Sequence, residues 1–422
     1  MNKADLKKII VSQKEEKQPI EYIERDLTGQ DLASQDPFIR IIAGIRRCGK
    51  STLMEHIRQQ RKENDYVINF DDNRLTRFTA SDFEKLFEAF HELYEPQKTW
   101  YFDEIQIIDG WEKFVRRLHN EGHKIFITGS NATMLSMELG SSLTGRYIQT
   151  ALFPFSFYEY LKLKNIPFHT TSIYSGKETT NIRKAFSDYL IRGGFPEYLI
   201  TENSNFLKTL YENIVFRDVV VRYNIRNTKA VLEMVHFLVS NISREISYNT
   251  LKNILNISNA ASVKEYIGYF ENSYLLFTLN KFDFSRKKQI ANPKKIYVID
   301  TGLANAVSFQ FSENFGRQLE NLVYIELRRR NKEIFFHRGK FECDFLCMER
   351  GKVIEAIQVT RSVDDASVLK REINGLTEAM NMHGLSEGKI ITDDEEGELQ
   401  QNNMVIKIMP AWKWLLTRNH QA

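Results

Sequence analysis

Between residues 37 and 152, short runs that are mostly apolar alternate with stretches whose apolar positions recur at helical spacing. The runs at 38–43, 66–70, 98–103, 124–128 and 146–152 read as strands, and 83–94 and 111–119 as amphipathic helices. That alternation predicts an α/β unit. Beyond it, an aromatic stretch at 152–161 and a polar, Thr/Ser/Gly-rich linker at 170–181 lead into helical periodicity from 182. That periodicity breaks at Gly193, Gly194, Phe195, Pro196 and Glu197, then resumes over 206–223. Residues 229–285 give three short helical patterns followed by a strand at 274–282, the order of a winged helix-turn-helix. The C-terminal part reads as a helix at 315–330, a strand at 333–337, a hairpin at 341–348 and 353–360, a helix at 366–382 and a strand at 389–392. The expected division is an N-terminal helical segment (1–36), an α/β domain (37–152), a docking segment and helical connector (153–228), the winged helix (229–285) and a C-terminal domain (286–422).

The turn after the first strand, Gly44, Ile45, Arg46, Arg47, Cys48, Gly49, Lys50 and Ser51, satisfies GxxxxGK[ST], and Thr52 begins a helical pattern. Glycines let such a loop curl so that its N–H groups point at phosphate oxygens, and the following helix adds the positive end of its dipole. Lys50 is then expected to reach the β- and γ-phosphates and the Ser51 hydroxyl to ligate Mg²⁺. Arg46 and Arg47 either touch phosphate or face solvent. The strand at 98–103 ends in Asp103 and Glu104, a pair suited to holding the metal through water and polarising the attacking water. Ser130 or Asn131, after the next strand, is a sensor for the γ-phosphate or an ordinary helix cap. Arg146 follows Gly145 and is either a cation for the γ-phosphate, in its own or a neighbouring subunit, or a surface arginine. An extra strand between the loop and Asp103, with a carboxylate after it, marks ATPases over GTPases. The string Asn2, Lys3, Ala4, Asp5 matches NKxD but precedes the loop, so ATP is expected.

Composition narrows the class without choosing a partner. The 422 residues allow more than one core, and the net charge of +3 is nearly balanced. No run approaches the roughly 20 apolar residues of a membrane span, and the N-terminus lacks a signal-peptide pattern, so a cytoplasmic protein without membrane contact is expected. Cys48, Cys343 and Cys347 form neither a disulfide framework nor a zinc pattern; oxidation of Cys48 would block the loop. Cations at Arg286, Lys287, Lys288, Lys294 and Lys295 make 286–295 a candidate DNA contact, whereas Glu265 and Glu271 on the third helix of the winged-helix pattern favour a protein partner. The C-terminal order α-β-β-β-α-β is that of a restriction-endonuclease-like core, in which an acid on one hairpin strand and ExK or QxK on the next hold a metal. Asp344 takes the first place and Gln358, Val359, Thr360 the second, with Glu320 as a further acid from the helix. Strand alternation puts Glu355 on the opposite face from Gln358. Lacking the lysine, this core is expected to be nuclease-inactive.

Taken in order, the loop 44–51, Tyr101 to Gln106 with its two acids, Thr128 and Ser130, Gly145 and Arg146, Pro154 to Glu159, Gly193 to Glu197, Asp300 to Gly302 and Glu342 to Phe345 resemble the bacterial and archaeal AAA+-type ATPases. These join an ATPase domain to a winged helix and an uncharacterised nuclease-like C-terminal domain. The resemblance implies a P-loop NTPase with a five-stranded parallel sheet of the additional-strand, catalytic-glutamate kind, ATP with Mg²⁺, and homo-oligomerisation. It leaves two functional expectations: ATP hydrolysis that moves the winged-helix and nuclease-like domains on DNA, or a nucleotide-gated switch that binds a protein partner and turns ATP over slowly.

Overall fold

The computed structural model describes residues 1–15, 22–27, 36–131, 143, 145–169, 176–308 and 315–417. The chain divides into two compact units, 1–153 with 272–274, and 154–271 with 275–422. The expected linker at 170–181 lies partly outside the described residues; its remainder belongs to the helix Gly176–Arg192.

The first unit is built on strands β1 (Ile39–Ala43), β2 (Asp65–Asn69), β3 (Thr99–Asp103), β4 (Lys124–Gly129) and β5 (Tyr147–Ala151). They form one sheet in the order β2-β3-β4-β1-β5, and every pairing is parallel. All five residues of β1 and of β3 are buried, as two covered faces demand. The strand that follows the loop in sequence, β2, lies at the sheet edge, and β4 is the one inserted between β1 and β3. The helix Phe83–Leu93 buries Phe83, Leu86, Ala89 and Phe90, one face at helical spacing. Trp100 on β3 meets Tyr66 at 4.6 Å and Phe90 at 5.4 Å between ring centroids. Each such buried aromatic contributes on the order of 1.5–3 kcal/mol through area removed from water.

In the second unit, helices Thr228–Ser240, Tyr248–Ile254 and Ala260–Asn272 accompany a three-stranded sheet. It comprises β6 (Glu245–Ile246), β7 (Leu276–Asn280) and β8 (Lys294–Val298), in the order β6-β8-β7. Since β8 pairs antiparallel with both others, the boundary expected at 285/286 cuts through a sheet: this module runs on to Val298. Strands β9 (Glu333–Arg338), β10 (Glu342–Glu349), β11 (Lys352–Val359), β12 (Glu387–Thr392), β13 (Gly397–Gln401) and β14 (Met404–Pro410) make the second sheet, in the order β13-β14-β12-β11-β10-β9. Helix Ala366–His383 packs Leu376, Ala379 and Met380 into its core with Leu346, Ala356 and Ile390.

The motifs at 154–159, 193–197 and 300–302 converge in this unit. Gly194 N–H donates to Asp300 Oδ2 at 2.7 Å, and its carbonyl accepts from Phe155 N–H at 2.7 Å. A Cβ on Gly302 would lie 1.9 Å from the Arg192 carbonyl oxygen, and one on Gly194 2.2 Å from that of Phe155. The backbones therefore touch, and only glycine fits.

Candidate nucleotide site

The loop between β1 and the helix Lys50–Arg61 has the backbone that its glycines permit. Gly49 stands at φ 99° and Arg47 at φ 66°. A Cβ on Gly44 would lie 2.1 Å from the Leu152 carbonyl oxygen, so the loop begins in contact with the segment leaving β5. Cys48 Sγ donates to that same carbonyl at 3.3 Å. The thiol is fully buried and burial pushes it up from its ordinary range, which disfavours the thiolate that oxidation needs. Arg25 donates from Nη1 to the Cys48 carbonyl at 2.9 Å and from Nη2 to that of Phe153, a brace absent from the sequence reading because no motif contains it.

Lys50, Ser51, Asp103, Glu104 and Ser130 come together at the C-terminal ends of β1, β3 and β4. Ser51 Oγ donates to Asp103 Oδ1 at 2.9 Å, and Thr128 Oγ1 donates to the same oxygen. Thr128 Oγ1 also accepts from Glu104 N–H at 3.1 Å, a bridging role that its bare position in an apolar strand did not reveal. Lys50 Nζ lies 3.3 Å from Glu104 Oε1 and donates to the Ile45 carbonyl at 3.2 Å. Glu104 Oε2 accepts from Ser130 Oγ at 3.0 Å and from Gln106 Nε2 at 2.5 Å. Glu104 is held at φ 54°, a left-handed backbone that costs a non-glycine residue about 1–2 kcal/mol.

The two acids sit in different fields. Burial raises Asp103 above the usual carboxylate range, and the charge of Glu104 adds to it against the hydroxyls of Thr128 and Ser51. Burial also works to raise Glu104, but Lys50 and then Arg46 outweigh it and hold the group low, hence ionised. Arg46 itself lies 3.6 Å from Asp71, and Arg47 is exposed. Asn131 is fully buried. Beside Ser51 and Asp103 a cleft of about 1140 Å³ opens, lined in part by Thr52, Asn69 and Tyr22. The Tyr22 ring stacks on His56 with centroids 3.6 Å apart.

Arg146 does not join this cluster. It precedes β5, whose register pairs Tyr147 with Ile39 and Ala151 with Ala43 in parallel, so Arg146 lies at the start of the strands and the loop at their end. Four residues of strand rise put about 13 Å between those ends. Its Nη1 donates to Asn120 Oδ1 at 3.1 Å. The expected contact with a γ-phosphate in the same chain is thereby corrected.

In the C-terminal sheet, Glu320, Asp344 and Gln358 do meet. Asp344 N–H donates to Gln358 Oε1 at 3.1 Å, and Lys295 Nζ donates to both Glu320 Oε1 at 2.9 Å and Asp344 Oδ1 at 2.8 Å. Glu355 instead pairs with Lys389, on the face that strand alternation assigns it. Lys294 and Lys295 are buried, which corrects their assignment to a DNA-contacting stretch; Arg286, Lys287 and Lys288 lie on a helix, Arg286–Ala291, with no buried residue. Glu271 is likewise turned inward, accepting from Thr278 N–H and Oγ1 at 2.8 and 2.7 Å, so it does not make that helix's surface acidic.

Residues 36–161 match an AAA domain family, and 183–314 match a domain of unknown function. Uncharacterized protein MJ1544 of Methanocaldococcus jannaschii is 37% identical over 399 residues, 90% of this chain and 88% of that protein. The chain belongs to that protein's family. An uncharacterized protein of Haemophilus influenzae is 29% identical over 75% of this chain and 81% of its own length. Domain III of the replication initiation protein DnaA from Thermotoga maritima is similar at 15% identity and a TM-score of 0.23, covering 33% of this chain and 69% of that one. The AAA match embraces the parallel sheet, the loop at 44–51 and both acids, and runs beyond β5 to residue 161. Among the described residues no helix is long and apolar enough to cross a membrane.

Proposed function

We propose that the protein binds Mg-ATP at the loop between β1 and the helix Lys50–Arg61 and hydrolyses it. The observation that supports this most is the pairing of Lys50 with Glu104 at 3.3 Å next to Ser51 and Asp103 at 2.9 Å. A cation for phosphate, two hard oxygen donors for a metal and an ionised carboxylate for water stand in one place. The donor set fits Mg²⁺, which favours hydroxyl, carboxylate and water oxygens; when bound it would neutralise charge on the phosphates. Ser51 and Asp103 hold it, and the loop's N–H groups with Lys50 grip the phosphates. Glu104 orients and deprotonates the water, with Ser130 and Gln106 fixing its carboxylate and Ser130 or Asn131 sensing the γ-phosphate. The cleft beside Tyr22 has room for the nucleoside.

Two further modules complete the reading. The helices from Thr228 to Asn272 with the sheet β6-β8-β7 form a winged helix, and the sheet β9 to β14 a restriction-endonuclease-like domain without nuclease activity. ATP turnover moves them, with the exposed Arg286, Lys287 and Lys288 contacting DNA. A nucleotide-gated protein-binding switch is the second reading, favoured by the withdrawal of Lys294 and Lys295 from the surface.

Glu104→Gln keeps the shape of the site and removes the base. It should retain ATP after gel filtration while phosphate release falls about 10²- to 10⁴-fold. Turnover at the parental rate would remove Glu104 from the chemistry.

A further inference from the structure

Buried in the second unit, the ammonium of Lys295 is ringed by carboxylates from three positions. Nζ lies 2.9 Å from Glu320 Oε1, 2.7 Å from Glu342 Oε1 and 2.8 Å from Asp344 Oδ1. The lysine side chain is 2% exposed and comes from β8, whereas Glu320 is on helix Phe315–Arg329 and the other two acids are on β10. Further donors hold the acids in place: Tyr297 OH donates to Glu320 Oε1 at 2.7 Å, Val359 N–H to Asp344 Oδ2 at 3.0 Å, and Arg338 pairs with Glu342 Oε2 at 3.0 Å. Three carboxylates that face one point from a helix and a strand repel one another, and a shared cation offsets that repulsion.

We propose that Lys295 is the resident cation of this carboxylate site and stands where a divalent metal would otherwise be held, so that the C-terminal domain neither binds a metal there nor cleaves phosphodiesters. This rests on the nuclease-like reading of that domain and not on the ATPase site. Two observations carry it beyond the missing lysine of the Gln358, Val359, Thr360 strand. A divalent ion coordinated by the same three oxygens would sit about 2.0–2.5 Å from each, in the volume that Nζ fills. Ammonium and metal therefore exclude one another by sterics and by like charge. Lys295 offsets one of the three carboxylate charges, and Arg338, 3.0 Å from Glu342 Oε2, is shared with Glu245.

The test uses the full chain without nucleotide, titrated with MnCl₂ and followed by electron paramagnetic resonance and by melting temperature. The parental protein and its Asp344→Asn variant should bind Mn²⁺ equally, since whatever the loop near Asp103 takes up is common to both. Lys295→Ala should melt several degrees lower, gain one Mn²⁺ site, and recover at least half of the lost melting temperature in Mn²⁺. Adding Asp344→Asn to Lys295→Ala should abolish that gain. Lys295→Met, which keeps the volume, serves if the alanine variant does not fold. Mn²⁺ bound by the parental chain and lost in Asp344→Asn would overturn the proposal, as would a folded Lys295 variant that gains no site. Metal binding at Asp344 in the parental chain together with DNA cleavage would overturn the inactive-nuclease reading as well, whereas metal binding without cleavage would overturn only the role of Lys295.

Discussion

At the scale of single residues, Lys50, Ser51, Asp103, Glu104 and Ser130 meet at the ends of β1, β3 and β4. The glycines of the loop, Lys50, Ser51 and the two acids stand in a pattern whose geometry follows from strand, turn and helix. Thr128, Gln106 and Arg25 were not legible, since a hydroxyl in an apolar run or an arginine far upstream acquires its role only when strands β3 and β4 pair and the chain folds back. Arg146 shows the converse. Sequence order put it after the sensor, but parallel register carries it to the opposite end of β5 from the loop. Its Nη1 donates to Asn120, at the end of helix Trp111–Asn120. Arg146→Ala should therefore leave ATP turnover per subunit within about two-fold of the parental rate, where loss of a γ-phosphate cation would cost about 10³-fold or more; steady-state phosphate release separates the two. Glu104 also explains itself at this scale, because a left-handed backbone is tolerated where it aims a carboxylate at Lys50.

At the scale of elements, hydrophobic period identified the strands and helices well, whereas pairing between distant strands stayed hidden. Strand β8 is the clearest case. Lys294 and Lys295 read as surface cations because charged residues are seldom buried, and only the partners Glu320, Glu342 and Asp344, brought from 25 to 49 positions away, make the burial of Lys295 tolerable. The glycine motifs at 193–194 and 302 have a similar explanation in the backbone contacts around Asp300. That carboxylate caps helix Thr301–Val307 by accepting from Leu303 N–H at 2.9 Å and is buried enough to be raised to about 6, although the N–H groups of Gly194 and Leu303 pull it down. Unfolded, the group releases its proton near pH 4. Between about pH 4 and 6 the folded state then binds more protons than the unfolded one, so this residue makes stability fall as pH rises, by about 2–3 kcal/mol in all. Asp300→Asn should remove that part of the slope. Urea unfolding of both proteins from pH 4 to 7 measures it, and parallel profiles would show that Asp300 does not titrate in this window.

At the scale of the whole molecule, the similarity to the archaeal protein extends over 90% of the chain, so it covers both the unit with the AAA match and the unit after it. What the second unit acts on is the part that sequence period cannot read, because a binding surface depends on which charges remain outside once strands have paired. Three cations remain on helix Arg286–Ala291, next to Phe284, which is 84% exposed. If DNA is the partner, duplex DNA should raise ATP turnover several-fold at low salt and lose its effect as salt rises. Replacing Arg286, Lys287 and Lys288 by alanine should lower the slope of log affinity against log salt by up to about 3. Turnover indifferent to DNA at every salt concentration would favour the protein-binding switch. The most direct measurement, however, concerns the loop itself: isothermal calorimetry of the folded chain with Mg-ATP, beside Lys50→Ala. The account predicts saturable heat from one site per chain in the parental protein and its loss in Lys50→Ala; no heat from the parental protein, or equal binding by both, would contradict it.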